Sequence, residues 1–373
     1  MSIGSNRVVI CVDLDYFYAQ SEEVRNPSIK GKPVVVCVFS GRTEISGAVS
    51  TSNYVARRLG VRSGMPIALA KKTLARYPDA VFLPMDTDYY DSISSNVMDI
   101  LRSKSPAFEQ SSIDEAYLDV SNETEGDFSR AYELGKKIRA EILEREKLTC
   151  SVGIGPNKLV SKMAADSKKP DGLTLVVPGE VQPFLNKLEI GKLFGIGPKT
   201  VEKLHELGIG TVVQLAQADI RVLSEHFGEK LGPQLRDAAM GVDDNPVQER
   251  GVEQFSRIVT LKRDSNIFDF QDVLEPLAAD LSKKLLEYNM LAGSIGIIAI
   301  TAELKTKTRT RKIENSTDSK AEIVHVASSL FESFFADGNS SHGDLMVRRI
   351  GVRVSNLAKP TKDKKEPSLV DFL

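Results

Sequence analysis

At 373 residues the chain exceeds what a single hydrophobic core supports, so two to four domains are expected. Hydrophobic residues make up 41% and charged residues 27%, ordinary for a soluble globular protein; there is no membrane span, and the N-terminal MSIGSNR lacks a signal-peptide apolar core, so a cytoplasmic protein is expected. A net charge of −2 does not advertise nucleic-acid binding, which must rest on local asymmetry of charge, and three cysteines in apolar runs without CxxC spacing (Cys11, Cys37, Cys150) argue against a zinc site or a disulfide framework.

Val8 to Gln20, VVICVDLDYFYAQ, opens with an apolar β-branched run that reads as a buried strand and ends in Asp13 and Asp15, just before Tyr16, Phe17 and Tyr18. Lys32 to Phe39 is a second buried strand. Ser50 to Gly60, STSNYVARRLG, carries N-cap candidates, a helix and a terminal glycine in the expected order. On that helix Tyr54 and Arg57 share a face. They fit a solvated arginine beside a half-buried tyrosine, or a phosphate clamp in which the guanidinium grips two oxygens and the phenol adds a hydrogen bond. A turn at Ser63 to Pro66 leads to an amphipathic helix, Ile67 to Tyr77, and Ala80 to Pro84 returns as a strand.

A helix from Asp88 to Leu101 precedes SSIDEAYLDV, Ser111 to Val120, where Asp114 and Glu115 sit between two short β-type runs as though at a hairpin tip. Adjacent carboxylates repel unless a cation lies between them. If this segment neighbours the first strand, three or four carboxylates converge. A set of hard oxygen ligands without His or Cys suits Mg²⁺, and a pair of such ions serves in-line displacement at phosphorus. Solvated strand ends are the alternative for either acidic pair alone. A long helix from Phe128 to Lys147, a strand from Thr149 to Ile154 and a helix from Asn157 to Lys168, which Pro170 must end, complete the region. The element order predicts a mixed sheet with helices on one face and Asp13 next to the Asp114-Glu115 pair.

From Glu180 to Met240 short helices are broken by glycine. Gly195-Ile196-Gly197-Pro198-Lys199 puts free N–H groups and a cation at a helix N-terminus, which suits a DNA phosphate as well as tight packing. Asp243 to Gly251 reads as an exposed linker. Beyond it the pattern predicts strand Gln254 to Lys262, helix Gln271 to Tyr288, strands Ser294 to Ala302 and Lys305 to Lys312, helix Lys320 to Phe335 and strand Arg348 to Val354. In the fourth of these, Lys305, Lys307, Arg309 and Arg311 alternate with threonines, giving four cations on one face roughly 6.8 Å apart, close to the spacing of phosphates in an extended strand. Lys262, Arg263, Arg348, Arg349 and Arg353 extend the row if their strands lie alongside; an edge strand kept soluble by its charges is the alternative. The Lys-rich tail, Lys359 to Leu373, reads as disordered and ends in PSLVDFL, apolar enough for a docking peptide.

Five segments in order, VDLDYFYAQSEE, GAVSTSNYVARRLGV, SIDEAYLDV, SVGIGPNKLVSKMAAD with KPDG, and GIGPKTVEKL, resemble the Y-family lesion-bypass DNA polymerases, specifically the DinB-type (DNA polymerase IV) branch with its archaeal members. The likeness runs from Val8 to about Asn356. It implies a multidomain α/β right hand: a ferredoxin-like palm (1–16 and 84–176), small fingers (17–83), a helical thumb with a helix-hairpin-helix (177–243), a linker (244–253), an α/β little finger that binds DNA (254–356) and a tail (357–373). It implies further that Asp13, Asp114 and Glu115, with the Leu14 carbonyl, hold two Mg²⁺ ions, and that Tyr54, Arg57, Lys169 and the N–H groups near Phe17 and Tyr18 bind the triphosphate. By the same resemblance Tyr18 would be the steric gate against ribonucleotides, and Gly195, Gly197, Lys199 and the Lys305 to Arg311 row would face DNA. Leu369, Phe372 and Leu373 resemble a sliding-clamp docking peptide, in which Glu366 stands for the usual Gln and Leu373 for an aromatic. Ser50 and Ser52 depart from the alanines frequent in archaeal relatives. The partners implied are primer-template DNA, dNTP and a sliding clamp, and the state implied is a monomer.

Two rival classes remain on sequence: a two-metal nuclease or cyclase on a similar acidic palm, and a non-catalytic DNA or clamp adaptor. A steric-gate tyrosine has no purpose in the first. The second has no need of the acidic trio together with Tyr54, Arg57 and Lys169.

Overall fold

The structure, a computed structural model, describes residues 7–249, 251–266, 270–338 and 346–360. These fall into two compact units, one drawn from the spans 1–38, 49–65 and 69–250, the other from 39–48, 66–68 and 251–373.

The elements of the first span of chain are β1 (Val9–Leu14), α1 (Phe17–Arg25), β2 (Val34–Phe39), β3 (Gly47–Ser52), α2 (Tyr54–Arg58), α3 (Ile67–Thr73), β4 (Val81–Pro84), α4 (Thr87–Arg102), β5 (Phe108–Gln110), β6 (Glu115–Asp119), α5 (Phe128–Glu146), β7 (Cys150–Gly155), α6 (Lys158–Ser167) and β8 (Leu173–Leu175). Helices α7 (Val181–Leu185), α8 (Pro198–Glu206), α9 (Val212–Gln217) and α10 (Ile220–Ala239) follow. A five-stranded sheet in the order β5-β6-β1-β7-β8 puts β1 at its centre, antiparallel to both neighbours, while β7 and β8 run parallel. A central strand is covered on both faces, which is why β1 reads as an unbroken apolar run and is buried throughout.

Period two divides that run. Ile10, Val12 and Leu14 enter the main core with Leu118, Ile138 and Ile142, each buried side chain contributing about 1.5–3 kcal/mol. Val9 and Cys11 face the other way, with Tyr117 and Ala165. Against that second face lies α6, so close that a Cβ on Gly153 would stand 1.9 Å from the Ser161 carbonyl oxygen. The expectation of helices on one face is therefore corrected: α5 packs through Gly135 onto Val152 and Ile154, and α6 crosses the opposite side. Gly153, inside the strand expected at Thr149 to Ile154, and Gly155, just past it, are what admit it.

Three other readings are revised. Of the N-cap candidates in Ser50 to Asn53, the cap of α2 is Asn53, which accepts from Ala56 N–H at 3.0 Å, and Ser50 to Ser52 belong to β3. The helix at Ile67 ends at Thr73. The linker from Asp243 is docked: Arg7 donates to the Asn245 carbonyl at 2.6 Å, and Val247 is buried among Val9, Cys11 and Tyr117. All three cysteines are buried and free.

The second unit holds β9 (Gln254–Ser265), α11 (Gln271–Glu287), β10 (Leu291–Thr301), β11 (Thr306–Thr317), α12 (Lys320–Gly338) and β12 (Val347–Ala358), its four strands antiparallel in the order β11-β10-β12-β9. Ile295, Ile297, Ala299, Ile350, Val352 and Val354 pack against Leu277, Leu281, Ala327 and Phe331 of the two helices. The other sheet face has no helix over it among the described residues. No described helix is long and apolar enough to cross a membrane.

Candidate active site

Asp13 is the last residue but one of β1, and alternation sends its side chain to the same face as Val9 and Cys11. Antiparallel register sets it directly opposite Glu115 of β6. Asp114 closes the β5–β6 turn, where its carbonyl accepts from Leu14 N–H at 2.8 Å and its carboxylate accepts from Ser112 Oγ at 2.5 Å. The two acidic segments, a hundred residues apart in the chain, thus meet at one end of β1.

The buried carboxylates are met by lysines, of which the motif reading singled out Lys169 and passed over Lys162 and Lys158. Lys162 on α6 places its ammonium 2.5 Å from Asp13 Oδ2, 2.5 Å from Glu115 Oε2 and 3.3 Å from Asp166. Lys169 reaches the same Asp13 oxygen at 2.6 Å and Asp166 at 2.8 Å. Burial opposes the charge on Lys162, and the field of Asp13, Glu115 and Asp166 more than offsets it, so its pKa is raised above that of an ordinary lysine. One turn earlier on α6, Lys158 is paired at 2.7 and 2.8 Å with Glu109, both buried. The i, i+4 spacing of Lys158, Lys162 and Asp166 within an apolar helix was the available signal.

Asp15, named with Asp13 as a strand-end acid, has a different place. It is 1% exposed and accepts from Ser151 Oγ at 2.7 Å, Thr149 Oγ1 at 2.9 Å and Asp171 N–H at 2.7 Å. The last bond ties the Lys169-Pro170-Asp171 turn to the end of β1 and so locates Lys169.

Around the acids stand the residues expected to meet a triphosphate. Tyr16, in the left-handed region at φ 38°, precedes α1 and gives it no side-chain cap, leaving the first-turn N–H groups at Phe17 and Tyr18 without one. Tyr54 packs edge-on against Tyr16 at 5.3 Å, with the Arg57 guanidinium 4.9 Å from its ring centre. Arg57 also donates to the Ser52 carbonyl at 2.8 Å. Burial raises the Tyr54 pKa, and Asp15, Arg57, Lys169 and Asp13 all act on it, so these groups share one neighbourhood. The half-buried Tyr18 ring lies 4.6 Å from that of Tyr90 and 5.5 Å from that of Phe17, and the Asp114 charge bears on its hydroxyl.

The residues fit a divalent cation. Asp13 and Glu115 already converge on one positive nitrogen, and every donor is a hard oxygen. Among the described residues no three His, Cys, Asp or Glu groups stand ready-made around an ion; lysine occupies the point of convergence.

The glycine-rich turn of the α7–α10 region has Gly195 at φ 87°, Gly197 as N-cap of α8, and Lys199 exposed in its first turn. In the second unit the cation row alternates with threonine as expected, Lys305 lying just before β11, but its face is the helix side. Arg309 donates to Ser333 Oγ at 3.1 Å and Arg311 to Ser329 Oγ at 3.2 Å, both on α12, and Lys307 and Arg309 lie over Phe334. Alternation says which residues share a face and not which face it is. Nor do Arg349 and Arg353 extend the row, since β10 separates β12 from β11 and both arginines belong to the uncovered face. There Arg353 crosses β10 above Gly296 to donate to Thr310 Oγ1 at 2.9 Å. Leu369, Phe372 and Leu373 lie outside the described residues.

Comparison with known proteins gives a consistent picture. Models of the impB/mucB/samB family match residues 12–166, of its C-terminal domain 252–369, and of the IMS family HHH motif 178–209. The chain is 44% identical to DNA polymerase IV 1 of Methanosarcina mazei over 98% of this chain and 99% of that protein. It is 42% identical to DNA polymerase IV of Nitrosopumilus maritimus, over 95% and 96% respectively. Among solved structures, the Y-family DNA polymerase chimera Dbh-Dpo4(243-245)-Dbh matches at a TM-score of 0.86 and 38% identity, covering 95% of this chain and all 100% of that one. An insertion ternary complex of Dbh DNA polymerase matches at a TM-score of 0.70 and 38% identity, with 95% of this chain and 100% of that one covered. From the acidic strand ends and their lysines to these matches along nearly its whole length, the chain belongs to the Y-family of DNA polymerases, in its DinB-type, DNA polymerase IV branch, and is a DNA-directed DNA polymerase.

Proposed function

We propose that this polymerase extends a primer 3′-hydroxyl opposite damaged as well as intact template, at low fidelity, by two-metal catalysis. The observation that carries the proposal is the register that sets Asp13 opposite Glu115, with Asp114 bonded through its carbonyl to the next residue of β1. Asp13, Asp114 and Glu115, with the Leu14 carbonyl, would hold two Mg²⁺ ions. Bound there, they supply Lewis acidity to the primer hydroxyl, the phosphorus and the leaving pyrophosphate.

This chain's own residues do the positioning. Lys169, free to leave Asp13, meets the triphosphate as a point charge, while Arg57 and Tyr54 grip it from α2 and the uncapped start of α1 offers N–H groups near Phe17 and Tyr18. Tyr18, wedged against Phe17 and Tyr90, excludes a 2′-hydroxyl. Gly195, Gly197 and Lys199 meet a backbone phosphate of primer-template DNA, and the uncovered sheet face with Arg349, Arg353, Thr308 and Thr310 carries further contacts beside the edge row. The similar Dbh DNA polymerase, solved as an insertion ternary complex, supports the substrate pairing. Clamp binding through Leu369, Phe372 and Leu373 belongs to the same proposal.

Primer extension with Mg²⁺ and each dNTP, on intact and lesion-bearing templates, tests it. Extension and not primer degradation is expected. Asp13→Ala or Glu115→Ala should lower the rate roughly a thousandfold or more while DNA still binds. Unchanged turnover in either variant would sink the metal assignment, and strict ribonucleotide exclusion by Tyr18→Ala would remove the gate.

A further inference from the structure

The lysine at the centre of the acid cluster is not one of the residues the family likeness assigned, and its geometry asks for a role. Its side chain is 10% exposed, it emerges from a helix locked to the sheet by Gly153 and Gly155, and its nitrogen sits between the two carboxylates at equal distance. Two carboxylates on facing strands, held this close with no cation, repel strongly in a poorly solvated site. The ammonium removes that repulsion.

We propose that Lys162 is a built-in counter-ion of the metal site: in the metal-free enzyme it bridges Asp13 and Glu115 and keeps them converged, and a divalent ion binds those carboxylates only by displacing it. The proposal rests on the two-metal reading above and adds a cost to metal binding that the protein sets for itself. Lys169 shares the same Asp13 oxygen but is more exposed, 25% against 10%. Once Asp13 is given over to a metal, that second ammonium loses its partner and is available to the triphosphate, which links metal entry to nucleotide binding. Asp166, within reach of both lysines, is where the displaced Lys162 nitrogen comes to rest. No covalent bond changes in this exchange; one cation replaces another.

The test is direct Mn²⁺ binding to the full-length protein without DNA or nucleotide, followed by the electron paramagnetic resonance of the free ion. Lys162→Met is expected to bind Mn²⁺ about tenfold more tightly than wild type, the factor carried by a lost buried ion pair. It should melt at lower temperature in EDTA and gain more from added Mg²⁺ than wild type does. Unchanged or weaker Mn²⁺ binding overturns the proposal, leaving Lys162 as packing alone. If Lys162→Met does not fold, Lys162→Gln replaces it, and in wild-type protein labelled at lysine Cε the buried lysine resonance must move on Mg²⁺ titration; a resonance that stays put overturns the proposal equally. Asp13→Ala separates the two levels of argument. Loss of Mn²⁺ binding there, with no change in Lys162→Met, refutes the counter-ion and spares the metal site. Full Mn²⁺ binding by Asp13→Ala refutes both.

Discussion

Asp13, Glu115, Lys158 and Lys162 are charges inside the first unit, each side chain about a tenth exposed and each paired at 2.5–2.8 Å. Lys307 and Arg311 are charges at the rim of the second unit, exposed on an edge strand whose neighbours are hydroxyls and an aromatic ring. The buried set is positioned by backbone register, so strand pairing fixes which atoms meet. The rim set is positioned by alternation and little else, which suits a repetitive, sequence-independent ligand such as a phosphate chain. Charges whose partners are fixed sit on the ladder; charges ordered by alternation alone sit at the edge.

The comparison breaks most readily at its buried end. Lys158→Met strands Glu109 without its cation and should cost about 3–5 kcal/mol in urea unfolding, whereas replacing both, with Met and Leu, should recover most of it. A loss under about 1 kcal/mol would mean that the pair behaves as a surface bridge and the contrast is false. At the uncovered sheet face, Arg349→Ala with Arg353→Ala should weaken DNA binding alike for all sequences and flatten the log-log salt slope by about 2. An unaltered slope would take the uncovered face out of the DNA contact and leave that contact to the edge row. The smallest effect lies between the extremes. Hydrogen bonds from Arg348 and then Arg42 pull the Asp264 pKa down to about 2. A depressed carboxylate stabilises above its unfolded pKa, near 4, and loses that contribution as pH falls through about 2. Thermal melts of wild type and Asp264→Asn should therefore differ by under about 1 kcal/mol at pH 7 and converge between pH 4 and pH 2. A gap that persists at pH 2 would assign the effect to packing.

Much of this was legible in the residues. The acidic ends of the two β-type runs and the element order lead to the expectation that Asp13 lies beside Asp114-Glu115, and the register that does so also keeps Asp13 off the face of Ile10 and Val12. The helix starts expected at Asp88, Phe128 and Asn157 fall within a residue of those of α4, α5 and α6, which Asp86, Asp127 and Asn157 cap. What the residues hid was depth and facing. Lys162 looks like any surface lysine on an amphipathic helix until Gly153 shows that α6 presses on the sheet. The cation row on β11 keeps its alternation whichever side α12 covers, and only the pairing of Arg309 with Ile297, a buried residue, decides it. Val247 lies in a polar, proline-containing stretch, and nothing local announces that one side chain of nine is an anchor.

The bonds from Asp15 to Thr149, Ser151 and the Asp171 amide carry a practical consequence for anyone reading a mutational scan of this enzyme. Asp15, to which the proposed mechanism gives no ligand, holds in place, more than a hundred and fifty positions downstream, the turn that carries Lys169, which that mechanism sets against the triphosphate. Replacements at 15 will therefore mimic those at 169, raising the nucleotide KM, and a screen by activity alone would enrol Asp15 among the metal-binding acids. Asp15→Asn, whose carbonyl oxygen can still accept from Thr149 Oγ1 and the Asp171 N–H while its amide donates to Ser151 Oγ, carries no charge, and restored function there tells scaffold from chemistry.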